Sequence, residues 1–331
     1  GVQVRDLAVD AREGEVVAAT HGRAFWILDD LAILEQLARQ SSYSVANVQL
    51  FTPESAWLTN SYGTGLFESD NTGENPEYGA SVFFNLPPDY NGRTPATLTF
   101  YDASGAVVRA FALHLKPKKE TELTPEQEAN LDAAQQRARQ LAELTAVQPG
   151  TNAFRWDLRY TPGYDFPGFR AQYTDDFLDT SDGPTVLPGK YDAVLQYGTQ
   201  KLDVPVTVQL DPRLHPAPGD LQARLALEMQ ILATIDSLDR TISAAMTAAS
   251  RKPAAQRTQI DAGIADLVQL DIHSSEADVL HPTQIREQLA FLMNSLEGAY
   301  ARPTAAEYAT YSDLKTLAET GEAKLKALAS P

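Results

Sequence analysis

The sequence predicts a multidomain α+β protein, with strands through its first two thirds and helices in its last third. Three observations carry this. Short runs alternate apolar and polar residues, as in "NAFRWDLRY", where Phe154, Trp156 and Leu158 face one way and Arg155, Asp157 and Arg159 the other. A Pro-rich stretch, "DPRLHPAPGD", then breaks the pattern as a linker would. From Asp220 onward the apolar residues recur at spacings of three and four, the period of an amphipathic helix.

Residues 1–45 hold three short strands, "VRDLAV", "EVVAAT" and "AFWIL", separated by turns at Glu13-Gly14 and His21-Gly22-Arg23. They resemble part of a four-stranded antiparallel blade, and a three-stranded piece by itself has open edges and little core. "DDLAILEQLARQ" follows as a short helix with Leu31, Leu34 and Leu37 on one side. Residues 46–214 read as an antiparallel β-sandwich. Its strands include "SVFFNL", "ATLTFY" and "AVVRAFA", the last two joined by the turn "DASG" with Gly105 free to take positive φ. "KYDAVLQY" and "LDVPVTVQL" add two more, and Pro205 on the outer face of the second marks an edge strand. Two insertions interrupt the sandwich. One, about 124–146, is a single helix of roughly five turns opened by a capping box, with Thr124 as cap, Pro125 in the first helical position and Gln127 closing the box. The other, about 161–189, is a long loop rich in Gly, Pro, Asp and aromatics.

Residues 215–331 read as an antiparallel bundle of three or four helices. Leu221, Leu225, Met229, Leu232, Ile235, Leu238, Ile242 and Met246 form its first apolar stripe, and Thr304 with Glu307 caps its last helix. Pro253, Pro282 and Pro303 stand where helices start.

Charge and composition exclude several function classes. The net charge of −17 repels phosphate backbones, which argues against nucleic acid as a partner. The absence of cysteine removes disulfides, thiolate catalysis and zinc–thiolate sites. No apolar run is long enough to span a bilayer, and no signal segment opens the chain. The chain starts on Gly1, not Met, and reads either as the remainder after upstream removal or as a piece of a larger protein.

No catalytic residue and no cofactor site emerge from the motifs. "DIHSSEADVLH" gathers Asp271, His273, Glu276, Asp278 and His281, but its histidines are eight apart, without the spacing that presents two of them on one helix face. It reads as a polar loop. Asp175, Asp176, Asp179 and Asp182 are calcium-ligand types in one loop, though without the alternation of an EF-hand, so a solvated loop competes with a metal site. "GPTVLPGK" lacks the glycine spacing of a phosphate loop. His21 and Arg23 flank Gly22 at a strand turn, where a structural role is the simpler reading. Aromatics cluster at Trp57, Tyr62, Phe67 and Tyr78, and again at Tyr160, Tyr164, Phe166, Phe169 and Tyr173. Tyr164, Phe166, Phe169 and Tyr173 are the candidate carbohydrate-binding platform; the competing reading is that these rings pin the loop to its scaffold.

"DLAVDAREGEVVAATHGRAFWILDDL" resembles the closing blade of the large secreted bacterial β-propellers related to sortilin, often labelled glycosyl hydrolases with BNR repeats. Asp6, Leu7, Val9, Thr20, His21, Gly22, Arg23, Trp26, Ile27, Leu28, Asp29 and Asp30 carry the match. "NPEYGASVFFNLP", "YDASGAVVRAF", "GTNAFRWDLRY", "LPGKYDAVL" and "VTVQLDPR" resemble that family's immunoglobulin-like module, and "HPTQIREQLAFL" with "RPTAAEYATYSDLKTLAE" its helical tail. The resemblance implies a partial propeller blade, an immunoglobulin-like sandwich and a helical bundle, in a periplasmic or secreted protein. The Asp-box repeat, Ser-x-Asp-x-Gly-x-x-Trp, does not occur in this chain. The family's cavity is expected in an upstream propeller, so the hydrolase label transfers weakly and this region is expected to be non-catalytic. The implied partner is that upstream propeller, with polysaccharide or another protein as further partners and a carbohydrate-binding accessory role as the alternative.

Overall fold

The computed structural model describes residues 2–11, 14–40, 44–59, 78–118, 123–170, 182–270 and 283–330. The protein is a mixed α+β chain that divides into two compact units. A strand-rich unit comprises Gly1–Lys119, Ala142–Leu158 and Pro188–Arg213; a helical unit comprises Glu120–Leu141, Arg159–Leu187 and Leu214–Pro331. The last boundary, between Arg213 and Leu214, falls inside the Pro-rich stretch.

The strand-rich unit begins with β1 (Val4–Asp10), β2 (Glu15–Thr20) and β3 (Phe25–Leu28), an antiparallel sheet in that order, followed by α1 (Leu31–Arg39). Two further sheets are built from β4 (Gln49–Leu50), β5 (Ala56–Leu58), β6 (Ala80–Leu86), β7 (Ala96–Asp102), β8 (Val107–Leu115), β9 (Ala146–Val147), β10 (Gly150–Trp156), β11 (Gly189–Tyr197) and β12 (Gln200–Leu210). One has the order β10-β6-β4, the other β5-β12-β11-β7-β8-β9. They share an aromatic core: Trp156 of β10 stacks on Phe100 of β7 at 4.2 Å, and Phe154 meets Phe111 of β8 edge-on at 4.7 Å. The alternation expected in "FRWDLRY" holds, with Phe154, Trp156 and Leu158 buried. The expectation of a wholly antiparallel arrangement does not, because β5 pairs with β12 and β8 with β9 in parallel. Pro205 sits where β12 is locally an edge, since β5 covers only Val208–Leu210. Gly105 takes φ 82° in the "DASG" turn, where Asp102 Oδ1 accepts from the Ser104 and Ala106 amides.

The helical unit contains α2 (Pro125–Ala129), α3 (Ala133–Leu144, whose last turn belongs to the other unit), α4 (Asp220–Ala249), α5 (Ala254–Ala265), α6 (Ile285–Glu297) and α7 (Ala305–Ala329). The capping boxes at Thr124–Gln127 and Thr304–Glu307 form as expected. The single five-turn helix does not. It breaks at Asn130–Asp132 because a second box intervenes: Asp132 Oδ1 accepts from the Gln135 amide at 2.8 Å and Gln135 Oε1 from the Asp132 amide at 3.0 Å.

The insertion at 159–187 also differs from expectation. It belongs to the helical unit, where Phe166 and Phe169 lie in one core with Leu238, Ile242, Ile260 and Leu325. On α4, Met229 and Met246 are 40% and 36% exposed, whereas Glu228 and Asp239 are buried. The buried seam runs Leu225, Glu228, Leu232, Ile235, Asp239, Ile242, alternating steps of three and four. Contacts with α5, α6 and α7 widen the buried side beyond one stripe.

Candidate functional site

The most unusual surface among the described residues is the β1–β2–β3 sheet. Its register sorts the side chains into two faces. Leu7, Ala18 and Trp26 form one cross-strand row, and Val9, Val16 and Leu28 the next, so one face is wholly apolar over two rows. On the other face Ala8, Val17 and Ile27 form an apolar row beside Asp6, Ala19 and Phe25, with Asp10 and Glu15 closing the end. Phe25 is 71% exposed and Trp26 60%, and Leu7, Val9, Ile27 and Leu28 are also more than half exposed. A sheet with one apolar face and an apolar row on the other suits packing against neighbouring layers. The β3 edge, "FWIL", carries none of the charges that protect solvent-facing edges.

Local hydrogen bonds shape the turns of this sheet and tie the following helix to residues 52–54. Gly14 and Gly22 take φ 69° and 85° in the two turns, and Trp26 Nε1 donates to the Arg23 carbonyl at 3.1 Å. Gln36 of α1 holds Thr52 from both sides, accepting from its amide at 3.0 Å and donating to its carbonyl at 2.8 Å. Glu54 accepts from the Ala32 amide at 3.0 Å, doing for α1 what its own N-cap Asp30 does not. Partial burial, with Asp30, Glu15 and Glu35 nearby, raises the Glu54 carboxyl above its ordinary range. His21 is exposed at its turn, tied through its amide to the Gln3 carbonyl.

The candidate sugar platform is not assembled on a surface. Phe166 and Phe169 have no exposed area, packed 5.2 Å apart in the helical core, so neither ring can receive a sugar. Tyr164 is half-buried; its hydroxyl meets Ser243 Oγ at 3.1 Å and the Arg240 guanidinium covers its ring at 4.7 Å. Tyr173 lies outside the described residues, as do Asp175, Asp176 and Asp179 and the whole of "DIHSSEADVLH". Asp182, the fourth calcium candidate, has a half-exposed side chain 3.6 Å from Arg137. No group of three or more metal-ligating side chains occurs among the described residues.

What the aromatic loop does instead is close a buried charge cluster. The Arg286 guanidinium, fully buried, lies 3.6 Å over the Phe169 ring, donates to Asp239 at 3.0 Å and reaches Asp165 at 3.4 Å. Arg137 holds the other Asp165 oxygen at 3.0 Å. Burial pushes the Asp239 carboxyl up to about 6, against the opposing pull of Arg286. Reading the stripe for apolar residues alone misses this cluster. The signal was the regular three-four seam of α4, on which Glu228 and Asp239 occupy core positions.

None of the helices among the described residues is long and apolar enough to cross a membrane. Comparison with protein-family profiles, curated proteins and solved structures yields no match to this chain.

Proposed function

We propose that this chain is the non-catalytic structural and interaction region of a secreted, sortilin-like BNR propeller protein. In this reading β1–β3 is part of the closing blade, the two packed sheets are an immunoglobulin-like module, and the helical unit is a bundle that braces the propeller or docks partners. The observation that supports it most is the exposed sheet with one apolar face, an apolar row on the other face and an uncharged β3 edge, a surface of the kind that marks a protein interface. The carbohydrate-binding alternative loses its two central rings to the core.

The test compares this chain with the native protein of its source cells. Blotting against the helical tail should detect a species much larger than 36.1 kDa. In that species the amides of β1–β3 should exchange slowly with solvent, and in the isolated chain those on the open edges of β1 and β3 should exchange fast. A native species of this chain's own size, or equal exchange in both, refutes the reading.

A further inference from the structure

A second buried carboxylate on the α4 seam has no comparable partner. Glu228 has no exposed area, and neither of its oxygens accepts a hydrogen bond. Three charged groups face it. Arg224, one turn earlier on α4, has its Nε 3.4 Å from Glu228 Oε1, out of line for a hydrogen bond. The Arg224 Nη1 is directed elsewhere, to the carbonyls of Ala299 at 3.0 Å and Glu297 at 3.3 Å, and its guanidinium lies over the Tyr300 ring. Glu297 of α6 and Arg159 are the other two.

Those two groups close the ends of the Arg159–Leu187 segment. Glu297 Oε1 accepts from Arg159 Nη1 at 2.6 Å and from Thr185 Oγ1 at 2.5 Å. Arg159 also donates to the Gly183 carbonyl at 3.0 Å, and the Tyr160 amide to the Pro184 carbonyl at 3.0 Å. One carboxylate therefore fastens both ends of the segment that delivers Asp165, Phe166 and Phe169 to the core.

We infer that Glu228 and Glu297, between Arg159 and Arg224, form a proton-operated clamp on this segment, tight when Glu228 is neutral and loosened when it ionises. With Glu228 neutral, the two guanidiniums face one carboxylate, and Glu297 keeps both its donors. Ionisation places a second negative charge beside Glu297, in a site that offers it no hydrogen bond and makes it compete for the same arginines. Burial is the largest cause that pushes Glu228 up to about 7; Arg224 opposes it, Glu297 adds to it and Arg159 opposes it. A carboxyl raised in the closed state stabilises that state fully below its ordinary value of 4.5, and the stabilisation is lost as pH rises through about 7.

Hydrogen exchange at the Tyr160 amide, corrected for intrinsic rate, reads the clamp directly. Between about pH 6 and about pH 7.5, opening that lowers the Glu228 carboxyl from about 7 to 4.5 becomes roughly eightfold easier. Asp239, raised to about 6, is half ionised at the lower end of that window and adds at most about twofold if the same opening exposes it. The parent should lose at least about that much protection, and Glu228→Gln, a mimic of the protonated carboxyl, should lose no more than the roughly twofold that Asp239 supplies. Glu297→Gln should already be weakly protected at the lower pH, since it forfeits the charge-assisted bonds to Arg159 and Thr185. A parent with pH-independent protection, a Glu228→Gln variant that keeps the full, roughly eightfold response, or a Glu297→Gln variant protected like the parent would each overturn the clamp.

Discussion

Replacing Phe169 by Ala separates the two roles its loop can play. If the ring serves a sugar, the variant keeps its stability and loses glycan affinity. If the ring is core, the variant loses stability first. Phe169 has no exposed area, pairs with Phe166 at 5.2 Å and carries the Arg286 guanidinium at 3.6 Å. Truncating a buried Phe costs about 3–5 kcal/mol, and a desolvated cation–π contact about 2 kcal/mol. Part of that contact is counted in the truncation, so the expected loss is about 5 kcal/mol. With a urea dependence of about 2.5 kcal/mol per molar, the midpoint should fall by about 2 M. Far-ultraviolet circular dichroism follows the helices, whereas Trp26, Trp57 and Trp156 all lie in the strand-rich unit and their emission follows that unit. The dichroism midpoint should carry the shift. A dichroism midpoint within about 0.3 M of the parent would refute the core reading of this loop.

Two further substitutions probe the joints. Asp132→Ala removes the cap of α3 and the acceptor of the Gly168 amide, so thermal unfolding of the helical signal should show a loss of about 1–2 kcal/mol, and Asp132→Asn, with one oxygen for two amides, should recover only the capping part. Gly79→Ala puts a Cβ 2.3 Å from the Trp156 carbonyl oxygen at φ 124°, and should lower the stability read by tryptophan emission by on the order of 2 kcal/mol; an unchanged midpoint means this approach relaxes freely.

Much of this fold was legible because period-two and period-four patterns report burial directly. The alternation in "FRWDLRY", the caps at Thr124 and Thr304 and the turn at Gly105 are local, and each formed where its residues said it would. The break between α2 and α3 was equally local, but Asp132 and Gln135 were hidden inside a longer run of good helix formers. The fate of the 159–187 aromatics was not local at all. Phe166 and Phe169 look alike whether they face solvent or a core supplied by α4 and α5, and only the tertiary partners decide. Charged residues on a seam mislead in the opposite direction, since Glu228 and Asp239 read as surface positions until their spacing is aligned with Leu225, Leu232, Ile235 and Ile242.

The helical unit draws on three separate stretches of chain, two of them embedded among the strands. An expression boundary drawn at the Pro-rich stretch would therefore yield a tail with an empty socket where Phe166 and Phe169 belong and a buried Arg286 lacking Asp165. During synthesis the same layout delays completion: Phe166 and Phe169 emerge long before α4, α5 and α7, whose Leu238, Ile260 and Leu325 complete their core.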